Sequence, residues 1–294
     1  MDAARNAALE ALLQVDVNEG YSNIVLDKTL RKCGLSGLDA AFASTLFYGV
    51  LERRLTLDYA ISRFSDRKLS ALTPKVLEIL RLGVYQILFL DRVPDSAAVN
   101  ESVQLAKENG AGKASGFVNG VLRSLLRGKE TLVWPDDAVR YSCPAWLLSL
   151  WRASYGEELV SALLRSLSEP APVAIRVNTV RTSAEELLRL FSQEGVAASQ
   201  REGFPDALVL EKPGSVASLR AFSEGLFHVQ DLSSQLAARA LGAQPGERVI
   251  DVCAAPGGKK FTIAEEMQNR GEILAFDKYK GKVRLIASGA QRLG

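Results

Sequence analysis

The sequence has one histidine and three cysteines among 294 residues, and this scarcity excludes several kinds of site. The single histidine, His228, leaves a histidine-based metal site without its other ligands and argues against a histidine-centred catalytic triad. The cysteines, Cys33, Cys143 and Cys253, lie far apart along the chain, so they form no Cys-x-x-Cys metal motif and no disulfide framework. We therefore expect no metal site and a reducing, cytoplasmic location.

Long hydrophobic runs and an excess of one charge are also lacking. The longest apolar run, VYQILFL at 84–90, is much shorter than a bilayer span, and the N-terminus lacks the basic and apolar regions of a signal peptide. The net charge is +2, so any surface that binds nucleic acid must be local. These features predict a cytoplasmic protein with no membrane partner, which we expect to be a monomer.

The first part of the chain, residues 3–127, has the pattern of consecutive helices. Apolar residues recur there at spacings of three and four, which is typical of amphipathic helices. Thr73 followed by Pro74 predicts a helix start, and Asp39 is a second candidate N-cap. The pattern predicts an all-α bundle of about six or seven helices with no strand.

The composition changes after this bundle. Residues 128–144 look like a linker, and further helices follow. Alternating apolar residues predict a strand at 173–177, and Thr182 or Ser183 is placed to cap the next helix. Residues 207–230 contain Pro-Gly and Ser-Glu-Gly turns and predict short strands, so this region reads as a small α+β subdomain.

The end of the chain alternates between helix and strand, which predicts a parallel, Rossmann-like α/β sheet. The predicted elements are helix 231–241, strand 248–252, helix 259–269, strand 272–277 and helix 279–292. Two strands are too few to bury both faces of such a sheet, so we expect this domain to be incomplete. The expected domains are therefore 1–130 (helical), 131–230 (linker and α+β) and 231–294 (start of the α/β domain).

The motif VIDVCAAPGGKK joins the first of these strands to a helix through small residues only. Such a corner lets a ligand approach the backbone, and the helix N-terminus favours an anionic group. Asp277 follows the next strand, 20 residues after Gly257, a spacing suited to a carboxylate that binds ribose hydroxyls. A phosphate-binding P-loop is excluded by Cys253 and Lys260, and the G-x-G-x-x-G dinucleotide fingerprint is absent. An adenosine-containing cofactor is favoured over a plain turn without a ligand.

These residues resemble a known family. DVCAAPGGK is similar to the S-adenosylmethionine loop of the RNA cytosine-C5 methyltransferases, and FYGVLERRLTLDYAI and GFVNGVLRSLLR resemble the NusB-type RNA-binding helical domain. APVAIRVN and FHVQDLSSQLAARAL resemble the segments that precede the catalytic domain in these enzymes. Together they match the arrangement of the bacterial 16S ribosomal RNA (cytosine-C5) methyltransferases of the Sun/Fmu type.

The resemblance implies a function and a set of site residues. The implied activity is methylation of cytosine C5 in 16S ribosomal RNA, with S-adenosylmethionine as cofactor. The implied cofactor-binding residues are Cys253, Ala254, Ala255, Pro256, Gly257, Gly258, Lys259 and Asp277. The family's nucleophilic cysteine belongs to a later motif, so it is expected beyond Gly294. No catalytic residue is therefore predicted in this chain, which we expect to be inactive alone.

Two positions depart from the family pattern. Lys260 stands where the family usually has threonine, at a helix start where a cation is mildly unfavourable, and Gly289 replaces the usual asparagine. Both departures bear on cofactor affinity. Cys253 lies near a helix N-terminus, where a nucleophilic thiol is one interpretation, but it has no histidine base beside it, and we interpret it as part of the cofactor loop.

Contacts with RNA are harder to predict. Arg176 and Asn178 alternate with apolar strand residues, and Arg123 lies on a helix of the bundle; all three are candidate RNA contacts, with a plain polar surface as the alternative. The basic run KYKGKVR at 278–284 has the same two interpretations. For the whole chain, the alternative hypothesis is a NusB-like RNA-binding or antitermination module without catalysis.

Overall fold

The chain divides after Glu169 into two compact parts, which we call the helical unit (1–169) and the α/β unit (170–294). Within the described ranges, no helix is both long enough and apolar enough to cross a bilayer. The computed structural model describes residues 2–18, 22–167, 169, 171–211 and 213–294.

The helical unit is built from α-helices joined by short turns, and its described residues contain no strand. Its helices are α1 (Ala3–Asn18), α2 (Ser22–Lys32), α3 (Gly37–Glu52), α4 (Arg54–Phe64), α5 (Pro74–Phe89), α6 (Asp95–Glu108), α7 (Ser115–Gly128), α8 (Asp137–Arg140) and α9 (Ala145–Ser166). The predicted all-α bundle is confirmed, since α1 to α7 account for most of the described residues from 3 to 128 and short turns join them.

Helix α5 occupies the centre of this bundle. Ile79, Leu80 and Leu82 are buried although they point to different sides of the helix, and even Glu78 is buried. A helix that is buried all round must be enclosed by others, and Phe47 of α3 belongs to the same apolar core.

The predicted start of α5 is confirmed. The Thr73 hydroxyl accepts a hydrogen bond from the Val76 amide, and Pro74 occupies the first helical position. The N-cap predicted at Asp39 is wrong, because α3 already begins at Gly37. Asp39 lies instead in the first turn, where a negative charge still complements the helix dipole.

The segment predicted as a linker, residues 128–144, packs against the bundle. The Ser142 hydroxyl accepts a hydrogen bond from the Leu55 amide at 2.9 Å, and the Thr56 hydroxyl donates to the Val139 carbonyl at 2.5 Å. These bonds join α8 to the start of α4, so this segment is an ordered part of the helical unit.

The α/β unit contains two separate sheets and their connecting helices. Its elements are β1 (Val173–Val177), α10 (Ala184–Gln193), β2 (Ala198–Arg201), β3 (Phe204–Leu210), α11 (Arg220–Ser223), β4 (Phe227–Val229), α12 (Leu232–Arg239), β5 (Arg248–Asp251), α13 (Gly258–Glu266), β6 (Glu272–Ala275) and α14 (Lys280–Leu293).

The first sheet is antiparallel, with strand order β2-β3-β1-β4. On one face, Ile175 and Val177 of β1 pack with Phe191 of α10 in an apolar core. On the other face, Arg176 of β1 lies directly opposite His228 of β4 in the strand register. The alternation along β1 thus separates an apolar face from a face that carries buried charge.

The second sheet pairs β5 with β6 in parallel, as the alternation of helix and strand predicted. Val249 and Ile273 pack on one face against the core formed with α12 and α13. On the opposite face Ile250 is 59% exposed, Leu274 36% and Phe276 54%. Both faces of this sheet are therefore apolar, and helices cover one of them.

Candidate cofactor site

The loop between β5 and α13 is held by backbone hydrogen bonds to the segment that follows β6. The Ala254 amide donates to the Phe276 carbonyl at 2.9 Å, and the Phe276 amide donates to the Asp251 carbonyl at 2.8 Å. The Asp251 side chain accepts from the Cys253 amide at 3.2 Å. These bonds fix the loop without using its side chains, so the small residues 253–258 remain a backbone-lined corner.

Glycine is required at the end of this loop. Gly257 has a φ of +119°, and a Cβ atom there would lie 2.5 Å from the Phe261 ring. Helix α13 begins at the next residue, Gly258. The amides of its first turn have no acceptor within the helix and make this end electropositive, so the corner can accept an anionic or electron-rich group.

Asp277 closes the corner from the β6 side. One of its carboxylate oxygens accepts from the Tyr279 amide at 3.1 Å, and the other lies 3.4 Å from the Ala255 amide. The structure therefore brings all eight predicted cofactor residues together at the carboxyl ends of two adjacent parallel strands. A ligand bound at this point would have a backbone cradle and a carboxylate beside it.

Lys260 and Gly289, which depart from the family pattern, both contact Phe261. The Lys260 ammonium lies 4.5 Å from the Phe261 ring centroid, and burial lowers the pKa of this lysine while Asp251 opposes the shift. A Cβ atom on Gly289 would lie 2.6 Å from the same ring. The glycine thus gives the Phe261 ring room between α13 and α14.

The three cysteines are divided between the two units. Cys253 is exposed in the loop, whereas Cys33 and Cys143 belong to the helical unit. Cys143 is buried, and burial raises the pKa of its thiol. The described residues also contain no group of three or more potential ligands that could hold a metal ion.

Arg176 and Asn178 are buried, so their interpretation as a polar surface is wrong. Arg176 is 4% exposed, and its Nε donates to Glu265 Oε2 at 2.9 Å. Asn178 is 2% exposed, and its Nδ2 donates to the Gly225 and Leu293 carbonyls at 2.8 Å each. Strand alternation locates both side chains on one face, but this face is covered by α13 and α14. Neither side chain is open to RNA here, and both have structural roles.

Arg123, the third candidate RNA contact, is exposed on α7. Its Nε donates to Asn119 Oδ1 at 2.9 Å, a bond between side chains one turn apart on the helix surface. Its contact with RNA stays a prediction.

A buried polar cluster beneath α13 was not predicted. His228 was interpreted only as a structural strand residue, which its place in β4 confirms. Its Nε2 lies 3.2 Å from Gln230 Oε1, and its Nδ1 lies 3.5 Å from Glu265 Oε1. Thr262 donates to Gln230 Oε1 at 2.6 Å. One weak indication of this cluster was present in the sequence: His228 and Gln230 alternate with the apolar residues Phe227 and Val229.

Burial sets the protonation of this cluster. It raises the pKa of Glu265 to about 8, outweighing the opposing effect of Arg176, and it lowers the pKa of His228 to about 4. At neutral pH the imidazole is therefore neutral and the carboxyl group largely protonated. A single proton between Glu265 Oε1 and His228 Nδ1 satisfies two buried atoms that otherwise lack a partner.

Comparisons with known proteins agree with this architecture. Residues 2–127 match the NusB family, residues 143–217 match the "Methyltr_RsmF/B-like, ferredoxin-like domain", and residues 238–294 match "16S rRNA methyltransferase RsmB/F". The probable ribosomal RNA small subunit methyltransferase B of Bacillus subtilis is 38% identical over 99% of this chain and 66% of its own length. The corresponding Synechocystis protein is 36% identical over 100% of this chain and 68% of its own length.

The chain belongs to the ribosomal RNA small subunit methyltransferase B family. It spans about two thirds of the length of these curated relatives. The crystal structure of PH0851 has the same fold, with a TM-score of 0.75 at 24% identity over 100% of this chain and 67% of the other. The resemblance noted in the sequence, a NusB-type domain followed by methyltransferase domains, is therefore confirmed.

Proposed function

We propose that this chain provides the RNA-binding and cofactor-binding parts of an enzyme that methylates cytosine C5 in 16S ribosomal RNA with S-adenosylmethionine. One observation carries the proposal: the loop residues 253–259 and Asp277 meet at the carboxyl ends of β5 and β6, beside the N-terminus of α13. Family membership supports the same reaction class.

The residues present fit this cofactor. The loop contains no side chain larger than those of cysteine and proline before the helix begins, so a ligand can approach the backbone amides closely. The Asp277 carboxylate is held by backbone amides, which leaves acceptor capacity for ribose hydroxyls. When bound, S-adenosylmethionine would supply the methyl group.

RNA binding is proposed for the helical domain (1–130) and the following α+β region (131–230), and cofactor binding for residues 231–294. The methyl-accepting carbon lies on the ring of a base, so the target cytosine must be unpaired or extruded from its stack. Exposed Arg123 is a candidate phosphate contact, whereas Arg176 and Asn178 support the sheet from within.

The chemistry of C5 methylation in this family begins with attack by a thiolate, as the resemblance implies. Cys253 would lie against the cofactor as part of its loop, and the other two cysteines belong to the helical unit. We therefore expect residues 1–294 to show no methyl transfer to 16S RNA in an assay with radiolabelled S-adenosylmethionine. Turnover by this chain would contradict that assignment.

Two binding measurements test the proposal. Titration of the chain with S-adenosylmethionine in a calorimeter should show binding, and filter binding with a 16S RNA fragment should show RNA affinity. RNA binding without cofactor binding would favour the alternative of a NusB-like binding module. Binding of NAD in the same titration would contradict the assignment of the cofactor.

A further inference from the structure

Gln230, in the link between β4 and α12, is fixed to the antiparallel sheet through its backbone. Its amide donates to the Ala174 carbonyl of β1 at 3.1 Å, and its carbonyl accepts from Gln235 Nε2 at 3.1 Å. The residue is 5% exposed. The backbone of Gln230 is therefore fixed by hydrogen bonds at both its amide and its carbonyl, and its side chain extends from there towards α13.

Thr262 connects this side chain to the first turn of α13. It is completely buried, and its hydroxyl lies 2.6 Å from Gln230 Oε1 and 3.2 Å from the Gly258 carbonyl oxygen. The Gln230 side chain also packs across Gly258, where an added Cβ atom would lie 3.6 Å from Gln230 Cγ. The first turn of α13, which starts in the cofactor loop, is thus tied to strands β1 and β4.

A second connection lies one turn further along α13. There Glu265 pairs with Arg176 of β1 at 2.9 Å. The Gln230–Thr262 contact is the one nearer the cofactor loop, and the His228 ring of β4 also packs edge-on against Phe261, with 5.8 Å between the ring centroids. Loss of the Gln230–Thr262 hydrogen bond would loosen the loop end of α13 while the Arg176 pair still holds the other end.

We propose that Gln230 and Thr262 are positioning residues that hold the cofactor loop in its binding geometry. This inference rests on the proposed function, because it concerns the same loop. A loop that adopts the binding geometry only part of the time has its apparent affinity reduced by that fraction. Without the Thr262 hydroxyl, Gln230 Oε1 keeps only its longer contact with His228 Nε2, so we expect affinity to fall by about five- to tenfold.

Thr262→Val is the direct test, since it replaces the hydroxyl by a methyl group of similar size. Thr262→Ser restores the hydroxyl and should restore affinity. Thr29→Val is the matched control, because Thr29 is also buried and its hydroxyl donates within α2, at 2.9 Å to the Val25 carbonyl. Gln230→Met tests the same contact from its other side, should Thr262→Val fold poorly.

Two measurements are made on each variant of the whole chain: S-adenosylmethionine affinity by calorimetry, and hydrogen exchange of the α13 amides from Phe261 onward, since the Phe261 amide is the first in this helix to donate within it, to the Gly257 carbonyl at 2.9 Å. The proposal expects weaker binding and faster exchange in Thr262→Val and Gln230→Met, with neither change in Thr262→Ser or Thr29→Val. Unchanged affinity in Thr262→Val overturns it, even if the melting temperature falls.

The two readouts separate this inference from the proposed function. If the unaltered chain binds no S-adenosylmethionine, the cofactor assignment fails, and hydrogen exchange alone decides the role of the contact. Faster exchange confined to Phe261 and the amides next to it then supports the proposal that Thr262 holds this end of α13, and unchanged exchange refutes it.

Discussion

The buried pair of Glu265 and His228 makes the stability of the α/β unit depend on pH in a defined way. Because burial raises the pKa of Glu265 from 4.5 to about 8, the folded state holds this proton more tightly than the unfolded chain. Its contribution to stability is complete below pH 4.5 and is lost as pH rises through 8. His228 has the opposite sign, because burial lowers its pKa from 6.5 to about 4, so its contribution is lost as pH falls through 4.

Across the interval from pH 6.5 to 8 the titration of Glu265 dominates, since folded His228 is neutral there and the histidine of the unfolded chain is at most half protonated. One proton is worth about 1.4 kcal/mol per pH unit, so the α/β unit should lose at most about 2 kcal/mol of unfolding free energy across the interval. The Glu265 side chain is 5% exposed, so solvent screens this effect little. Glu265→Gln keeps the shape of the protonated carboxyl group and should remove the slope.

Hydrogen exchange of residues 258–267 is the suitable assay, after correction for the intrinsic pH dependence of exchange. Fluorescence would report on the wrong unit, because every tryptophan lies in the helical unit: Trp134, Trp146 and Trp151. Glu272→Gln is the control, since Glu272 is half exposed and pairs with Arg248 on the second sheet. A flat profile in the unaltered protein, or a slope that persists in Glu265→Gln, would refute the reasoning.

Two further predictions follow from the contacts described above. Gly289→Asn, which restores the residue usual in the family, should lower the melting temperature because its Cβ atom would clash with the Phe261 ring. Phe261→Ala in the same chain should relieve this clash, so additive losses of stability in a double-mutant cycle would contradict the contact. Arg123→Ala should weaken binding of a 16S RNA fragment and reduce its salt dependence, as measured by filter binding, whereas Arg270→Ala, an exposed position between α13 and β6 outside the proposed RNA-binding regions, should not; equal effects of the two changes would argue against a contact at Arg123.

Much of the local structure was readable from short stretches of sequence. The helix start at Thr73 and Pro74 is confirmed because an N-cap depends on neighbouring residues alone. The strand at 173–177 and the cap at Ser183 are confirmed for the same reason. The parallel pairing of β5 with β6 follows from the helix that connects them, which must carry the chain back along the sheet.

The sequence did not predict which elements pack against each face of the antiparallel sheet. The sequence locates Arg176 and Asn178 on one face of β1, but their partners Glu265 and Leu293 lie 89 and 115 residues further along the chain. No local pattern connects residues so far apart. From the sequence, Arg176 and Asn178 look like solvent-exposed polar residues. In the structure they are buried where the antiparallel sheet contacts α13 and α14.

One strand and the polar cluster escaped prediction for related reasons. Strand β2, Ala198–Arg201, is short, polar and mostly exposed at the edge of its sheet, so it lacks the apolar alternation that marks a strand. The polar cluster combines residues from three places in the chain: His228 lies in β4, Gln230 in the link that follows β4, and Thr262 in α13. Its members carry no motif, and only the fold brings them together.

The central claim, that the loop at 253–259 and Asp277 bind S-adenosylmethionine, is tested most directly by one calorimetric titration of the chain and its Asp277→Ala variant. We expect saturable binding to the unaltered chain and an affinity at least about tenfold lower in the variant, since a charge-assisted hydrogen bond to the ribose contributes about 1.5–3 kcal/mol. No binding to either protein, or equal affinity for both, would contradict the account.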